Sequence, residues 1–271
     1  MSVEVPSVAE FEALKAAVTS NSVRLTNHAA RLNALENSPQ PDPDPIPDPD
    51  PAPGVGVDLA DWRLEELPDP PAQRAKCVRI VDDPLVKGKK AIQFLWEKGD
   101  AYIVNGEGKN KLRAEIKRWK GKQLFRGKEY VIKFGTLLED NENNRELYQH
   151  QRINCHCIQF HNIGDRGTSG INQRAGQYHF SFGAVRERPV GAILLGKRAN
   201  WEIRANVSEG DDGYLKVFLN GELVIDHKGK TASADLNPKA GHYWEPNIWQ
   251  YVPGVTYLKF FLTDYEIIEL N

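Results

Sequence analysis

Polar residues that could act together lie in two short segments of alternating polarity. In KLRAEI, Arg113 and Glu115 fall on one side of an extended strand, and in CIQFH, Gln159 and His161 do the same. The apolar residues between them point to the opposite side. A row of arginine, glutamine and histidine on a surface whose reverse is apolar predicts a polar groove that can hold a ligand.

The same residues also have a purely structural interpretation. Arg113 and Glu115 could form an exposed cross-strand ion-pair surface, and His161 could be a structural histidine near a strand end. Both alternatives stay open.

Two other segments contain residue types that bind metals. Strand alternation puts His156 on the face opposite Cys155 and Cys157, and no second ligand pair accompanies them, so a zinc site is not predicted. Asp211-Asp212-Gly213 is predicted to be a turn, with structural calcium as the alternative. No other cofactor is expected.

These residues belong to a long region of short strands. From about Val57 the runs that predict strands are CVRIV, KAIQFLW, KLRAEI, EYVIKFG, CIQFH, YHFSFGAV, AILLG, WEIRANV, YLKVFL, ELVID and YLKFFLTDYEII. Many such runs with turn signals and hardly any helical periodicity predict an all-β antiparallel sandwich. Asn220-Gly221 predicts a type I′ hairpin turn. The aromatic residues Trp201, Phe218 and Phe260 are expected in the core.

The N-terminal residues 1–37 have a heptad pattern instead. Positions a are 11, 18, 25 and 32, and positions d are 14, 21, 28 and 35, with polar Asn21 and His28 at d. Such a seam must be buried against other helices, which predicts an oligomerising coiled-coil stalk. Val18-Thr-Ser-Asn21 resembles the Val-x-x-Asn repeats of trimeric fibre stalks, which favours a homotrimer through residues 8–37 over a dimer. A monomeric helix docked on the main domain is the alternative.

Residues 38–56, SPQPDPDPIPDPDPAPGVG, separate the stalk from the domain at 57–271. Proline at nearly every second position predicts a semi-rigid polyproline spacer. The free end before Val8 suggests an anchor in another protein.

Overall composition excludes several functions. The 271-residue chain has a formal net charge of -2, which argues against a general nucleic-acid binder. No apolar run reaches the length of a membrane span. The first residues lack the features of a secretory signal, so we expect a cytosolic protein or a phage protein that is released by lysis. The three cysteines are expected to be free thiols.

The order of motifs resembles the heparin-lyase-like and glucuronan-lyase-like polysaccharide lyases, which have a concanavalin-A-like jelly roll. The similar segments are Val81-Asp-Asp-Pro84, Arg113-Ala-Glu115 (R-x-E), Gly127-Lys-Glu-Tyr130, Gln159-Phe-His161 (Q-x-H), Trp201 and Gly213–Gly221. Tyr243–Trp249 lies where the family carries a Tyr-Phe-Lys-x-Gly-x-Tyr strand.

The resemblance implies β-elimination at a uronic acid of an acidic polysaccharide. Arg113 and Gln159 would neutralise the carboxylate, and His161 would take the C5 proton. The family's tyrosine falls on Trp249 in this alignment, so the acid would come from Tyr243 or Tyr251. The family's lysine falls on Glu245.

The substrate-binding residues implied by the resemblance are Glu115, Trp244, Glu245 and Trp249, with the tryptophans stacking on sugar rings. Because the alignment puts Trp249 in place of a proton donor, it leaves activity open.

Three classes of function follow. The first is a lyase, or depolymerase, on a phage fibre, tail or other virion surface. The second is a non-catalytic glycan-binding adhesin or decoration protein, whose trimer would raise avidity. A glycoside hydrolase of the same fold is disfavoured, because the chain lacks a Glu-x-Asp-x-x-Glu run that would supply paired carboxylates.

Overall fold

The computed structural model describes residues 62–64, 76–100, 103–104, 110–118, 123–151, 153–163, 168–244 and 248–270. The predicted stalk (1–37) and linker (38–56) lie outside these residues. The strands are β1 (Trp62–Leu64), β2 (Val78–Asp82), β3 (Lys90–Glu97), β4 (Ile103–Val104), β5 (Asn110–Arg118), β6 (Lys128–Leu137), β7 (Asn154–Asn162), β8 (Thr168–Arg174), β9 (Gln177–Phe182), β10 (Val185–Ala192), β11 (Arg198–Val207), β12 (Tyr214–Leu219), β13 (Glu222–Lys228), β14 (Leu236–Trp244) and β15 (Tyr257–Glu269). Helix α1 is Glu142–Gln149 and helix α2 is Ile248–Tyr251.

The strands form two antiparallel sheets. The front sheet has eight strands in the order β1-β5-β14-β7-β8-β9-β10, with β4 also paired to β5. The back sheet has seven strands in the order β13-β12-β11-β6-β15-β3-β2. The prediction of an all-β antiparallel sandwich is confirmed for the described residues.

Strand alternation builds the core between the sheets. On β11 every second residue from Ala199 to Val207 is buried, and Trp201 is one of them. Phe260 on β15 stacks on Phe94 with ring centroids 4.8 Å apart. None of the three cysteines is in a disulfide, as predicted, and all three are buried.

Phe218 is not a core residue, contrary to prediction. On β12 the alternate residues Leu215, Val217 and Leu219 are buried, so Phe218 lies on the opposite, outer face and is half-buried. Its side chain therefore faces away from the front sheet.

Some strands and helices in the structure differ from those predicted, because long-range strand pairing decides which segments become strands. The run AILLG was expected to be a strand, but β10 ends at Ala192. Conversely β8, β14 and α1 had no strong periodic signal. Helix α1 begins after Asn141, whose side chain accepts a hydrogen bond from the backbone N–H of Asn144.

The two turn predictions are confirmed. Asn220 and Gly221 both have positive φ, 52° and 83°, as a type I′ turn between β12 and β13 requires. Asp211-Asp212-Gly213 is a turn between β11 and β12, where Asp212 Oδ1 accepts a hydrogen bond from Ser208 Oγ at 2.5 Å. None of the helices in the described part of the chain has the length and apolarity that a membrane crossing needs.

Candidate functional site

The outer face of the front sheet, which points away from the back sheet, carries a group of polar side chains. Glu115 on β5 and Gln159 on β7 meet there, and Gln159 Nε2 donates to Glu115 Oε1 at 2.6 Å. Their neighbours Ala114, Ile158 and Phe160 point into the core. The predicted shared face of these two residues is therefore present.

The pair is far less accessible than expected. Glu115 is 0% exposed and Gln159 is 3% exposed, so an exposed ion-pair surface is the wrong interpretation for Glu115. A carboxylate accepts hydrogen bonds only, so Glu115 fixes the orientation of the Gln159 amide. The predicted direct contact of Glu115 with substrate does not fit its burial, and any effect of Glu115 on a ligand would pass through Gln159.

Glycine on the neighbouring strand β14 allows the side chains of Glu115 and Gln159 to meet. Strand β14 lies between β5 and β7, whose backbones are about 9.5 Å apart at two strand spacings. Gly241 on β14 is paired with Glu115 and has φ +136°. A Cβ at Gly241 would lie 2.0 Å from the carbonyl oxygen of Ala114, so only glycine fits here.

A second glycine has the same role beside Gln159. Gly170 on β8 pairs with Gln159, has φ +152°, and would place a Cβ 1.9 Å from the carbonyl oxygen of Ile158. The strands on both sides of β7 therefore each carry a glycine that lies close to a neighbouring main chain.

Tyr243 lies two residues beyond Gly241 on β14, on the same outer face. It is paired with Arg113 on β5 and with His156 on β7. The rings of Tyr243 and His156 are in edge contact, with centroids 5.9 Å apart and an interplanar angle of 73°. Arg113, Tyr243 and His156 thus occupy three adjacent strands at one level of the sheet.

A β-bulge brings His156 to this face. The register of β7 against β8 shifts between His156 and Ile158, and Cys157 and Ile158 are both fully buried. As predicted, His156 is opposite the two cysteines. Strict alternation would nevertheless have placed it in the core with Ile158, so its position beside Tyr243 was missed.

The strand assignment of Tyr243–Trp249 is wrong. Strand β14 ends at Trp244 and helix α2 begins at Ile248. The family pattern Tyr-Phe-Lys-x-Gly-x-Tyr instead fits residues 237–243, where Lys239-Ala-Gly-His-Tyr243 supplies Lys-x-Gly-x-Tyr. The terminal tyrosine of the pattern is therefore Tyr243, and its lysine is Lys239.

Of the other residues predicted from that alignment, Trp249 and Tyr251 lie outside β14. Trp249 and Tyr251 lie in α2, where Trp249 packs against the core and Tyr251 stacks on His150 with centroids 6.0 Å apart. Trp244 is the last residue of β14, and Glu245 lies outside the described residues. The alignment required a strand that reaches Trp249, whereas β14 ends at Trp244.

His161 lies on the outer face but at another level. It pairs with Asn237 on β14 and is five residues from His156 along β7, which corresponds to about 16 Å of strand. The structure therefore groups His161 with Asn237 and Gln159 rather than with Tyr243.

The polar row continues across the sheet from His156. Asn172 on β8 pairs with His156 and with His179 on β9. Its Nδ2 donates to Glu187 on β10 at 2.7 Å, and Glu187 is 3.4 Å from His179 Nδ1. Sequence patterns gave no sign of this row, because it depends on which strands are neighbours.

Positive charge lies next to the Glu115–Gln159 pair. Lys239 on β14 is paired with both Lys117 on β5 and Gln159 on β7. Lys239 is buried on the outer face among these residues. Such cationic side chains favour an anionic ligand here.

The core side of β14 carries a buried histidine, His242. Burial lowers the pKa of His242 to about 3, so this histidine stays neutral at physiological pH. Its ring packs edge-on against Phe260 at 4.9 Å. Among the residues that the structure describes, no three His, Cys, Asp or Glu side chains are grouped as a metal site requires.

The sequence and the fold are both similar to those of known proteins. Residues 57–258 match the family model described as polysaccharide lyase. The structure resembles the endo-β-1,4-glucuronan lyase of the fungus Trichoderma reesei, with a TM-score of 0.51, 19% identity, and coverage of 70% of this chain and 85% of that one. It also resembles alginate lyase AlgAT5 of polysaccharide lyase family 7, with a TM-score of 0.54, 18% identity, and coverage of 79% and 96%.

No curated protein matches the sequence. The two structural similarities show a shared jelly-roll sandwich fold, and the family model covers most of the described domain. The chain therefore belongs to the polysaccharide lyase family.

Proposed function

We propose that the domain cleaves an acidic polysaccharide by β-elimination at a uronic acid, on the outer face of the front sheet. The observation that carries this proposal is the position of Tyr243, in ring contact with His156 and paired with Arg113. The Glu115–Gln159 pair and Lys239 lie beside this group on the same three strands.

Substrate binding would rely on the charged and amide groups. A C5 proton beside a carboxylate anion is too weakly acidic to be removed unless that carboxylate is neutralised. Arg113 and Gln159 would bind the carboxylate and stabilise the enolate that forms. Glu115 would position Gln159, and Lys239 would add positive charge.

Proton transfer would rely on Tyr243 and His156. The imidazole of His156 takes the C5 proton, and the electron pair of that C–H bond forms the C4–C5 double bond. The bond between C4 and the glycosidic oxygen O4 breaks, and the phenol of Tyr243 gives its proton to O4. The products are an unsaturated uronate and a new chain end.

Several observations support an acidic substrate. The outer face carries Lys117 and Lys239 in register, and Arg113 is close along β5. The structurally similar proteins are a glucuronan lyase and an alginate lyase by name, and both polymers are polyuronates. Tyr243 on β14 supplies the proton donor that Trp249 could not, which favours the lyase over the non-catalytic adhesin.

The test is an ultraviolet absorbance assay for unsaturated uronates on glucuronan, alginate, heparin-type and bacterial capsular polysaccharides. We expect activity on at least one polymer, and we expect Tyr243→Phe to lower kcat by about 10²–10⁴, the usual contribution of a positioned acid or base. Tyr251→Phe, in α2, is the matched control and should retain activity. Equal activity of wild type and Tyr243→Phe would refute the assignment.

For the whole chain we propose a homotrimer on a virion surface, such as a phage fibre or tail. The proposal is supported by the heptads in residues 8–37 and the proline-rich spacer at 38–56. Release by host lysis would then expose the domain to extracellular polysaccharide.

A further inference from the structure

A cavity lies on the opposite side of the sandwich from Tyr243, on the outer face of the back sheet. Its volume is about 460 Å³, which is within the range of small-molecule sites. Strands β6, β11, β12 and β15 line it through Lys133, Asn200, Glu202, Arg204, Phe218 and Asp264. It shares no residue with the group around Tyr243.

The shape of this cavity follows from missing and displaced side chains. Gly221 in the hairpin turn leaves open space along its lining, whereas the side chains of Thr263 and Arg198 fill the space beside Gly135 on β6. Between Thr263 and Glu266 the register of β15 against β6 shifts, and Asp264 has φ +50° in this bulge. Bulges redirect side chains, and this one places Asp264 at the edge of the cavity.

The lining combines an aromatic ring with both hydrogen-bond donors and acceptors. Phe218 is half-buried on this face, with the guanidinium of Arg204 5.4 Å from its ring centroid. Arg204 Nε donates to Glu202 at 2.5 Å, and Lys133 lies 3.7 Å from Glu202. These ion pairs hold the polar groups around the ring.

The charges of the lining cancel. Lys133 and Arg204 are cationic, and Glu202 and Asp264 are anionic, so the cavity has no net attraction for a uronate. A sugar ring offers apolar C–H groups to an aromatic side chain, and its hydroxyls both donate and accept hydrogen bonds. An uncharged sugar satisfies all of these features.

We propose that this cavity is a second saccharide-binding site that holds an uncharged sugar unit. It is separate from the uronate site on the front sheet and does not depend on catalysis there. Binding at both faces would increase the time that the protein spends on a polysaccharide containing neutral and acidic sugars.

Saturation-transfer NMR on the full chain tests this proposal. The probes are the methyl glycosides of glucose, galactose and N-acetylglucosamine, with methyl glucuronide as the charged comparison. We expect a signal from at least one neutral probe, and a decrease of about fivefold in Phe218→Ala and in Asn200→Ala, as losing one contact would cause. Asn200 is exposed, so its variant keeps the test valid if Phe218→Ala folds poorly.

Two control variants separate this site from other surfaces. Tyr214→Ala is on the same strand and face but outside the cavity, and it should retain the signal. Tyr243→Phe on the front sheet should also retain it. The proposal is overturned if no neutral probe gives a signal, if Phe218→Ala and Asn200→Ala leave it unchanged, or if the glucuronide binds this cavity more strongly.

Discussion

In the proposed mechanism, the hydroxyl of Tyr243 and the imidazole of His156 supply the two proton-transfer groups that β-elimination requires. At neutral pH a phenol can donate a proton and a neutral imidazole can accept one. The ring contact of Tyr243 with His156 makes them the favoured pair, and His161 is about 16 Å farther along the strand.

Substituting each histidine tests which one is the base. We expect His156→Asn to lower kcat by about 10²–10⁴, because the proton acceptor is lost. His161→Asn should mainly raise KM, since His161 lies beside Gln159 at the binding end. Steady-state kinetics on the most active polymer measures both. A larger kcat loss in His161→Asn would return the base role to that residue.

His242 should make stability depend on pH. Burial lowers the pKa of His242 from 6.5 to about 3. The unfolded chain binds a proton below pH 6.5 while the folded chain does not, so stability is lost as pH falls through this window. Between pH 6.5 and about 4.5 this group alone removes about 2 kcal/mol from the free energy of unfolding.

Urea unfolding at the two pH values measures this effect. The variant His242→Gln cannot take up a proton, so the difference between its two free energies of unfolding should be about 2 kcal/mol smaller than in wild type. If wild type and His242→Gln lose the same free energy of unfolding between the two pH values, the buried imidazole is protonated in the folded state.

Strand β14 is the element on which the site depends. It lies between β5 and β7 and contributes Lys239, Gly241 and Tyr243 to the outer face. Because Gly241 has no side chain, Glu115 and Gln159 can meet across the strand. The bulge in β7 then adds His156 to the same face.

Gly241→Ala should destabilise the domain strongly. It adds a Cβ 2.0 Å from the oxygen of Ala114 at a positive φ, which should cost about 3 kcal/mol or more. Gly176→Ala is the matched control, because Gly176 has φ +76° but no atom near its Cβ position. It should cost about 1–2 kcal/mol. Thermal unfolding compares the two, and equal losses would mean that main-chain contact at Gly241 has no effect.

On the scale of the whole molecule, the two sheets present different outer faces. The front sheet carries the cationic and amide groups around Tyr243, and the back sheet carries the charge-balanced cavity around Phe218. A polymer with both acidic and neutral sugars would find a suitable surface on each. Three copies on one stalk would multiply this effect.

Removing residues 1–37 tests the stalk. We expect the full chain to have the mass of a trimer and the truncated chain that of a monomer, because the heptad seam is the source of association. Light scattering with size exclusion measures both masses. A truncated chain that is still trimeric would contradict the heptad interpretation.

Local patterns in the sequence determined much of the fold. Period-two alternation identified most of the strands and the shared face of Glu115 and Gln159, and Asn220-Gly221 identified the hairpin. These features depend only on residues that are close in the chain, so they can be predicted from the sequence alone. The Lys-Ala-Gly-His-Tyr spacing was also present in the sequence, but without a strand boundary it was assigned six residues too late.

Tertiary structure alone decided which residues meet at the site. The order β5-β14-β7 and the register of β14 placed Tyr243 between Arg113 and His156, and a bulge turned His156 out of the core. The tertiary structure also decided that Glu115 is buried and that Phe218 lies on an outer face. The physical reason is that strand pairing joins residues far apart in the chain, and alternation within one strand has no information about its neighbours.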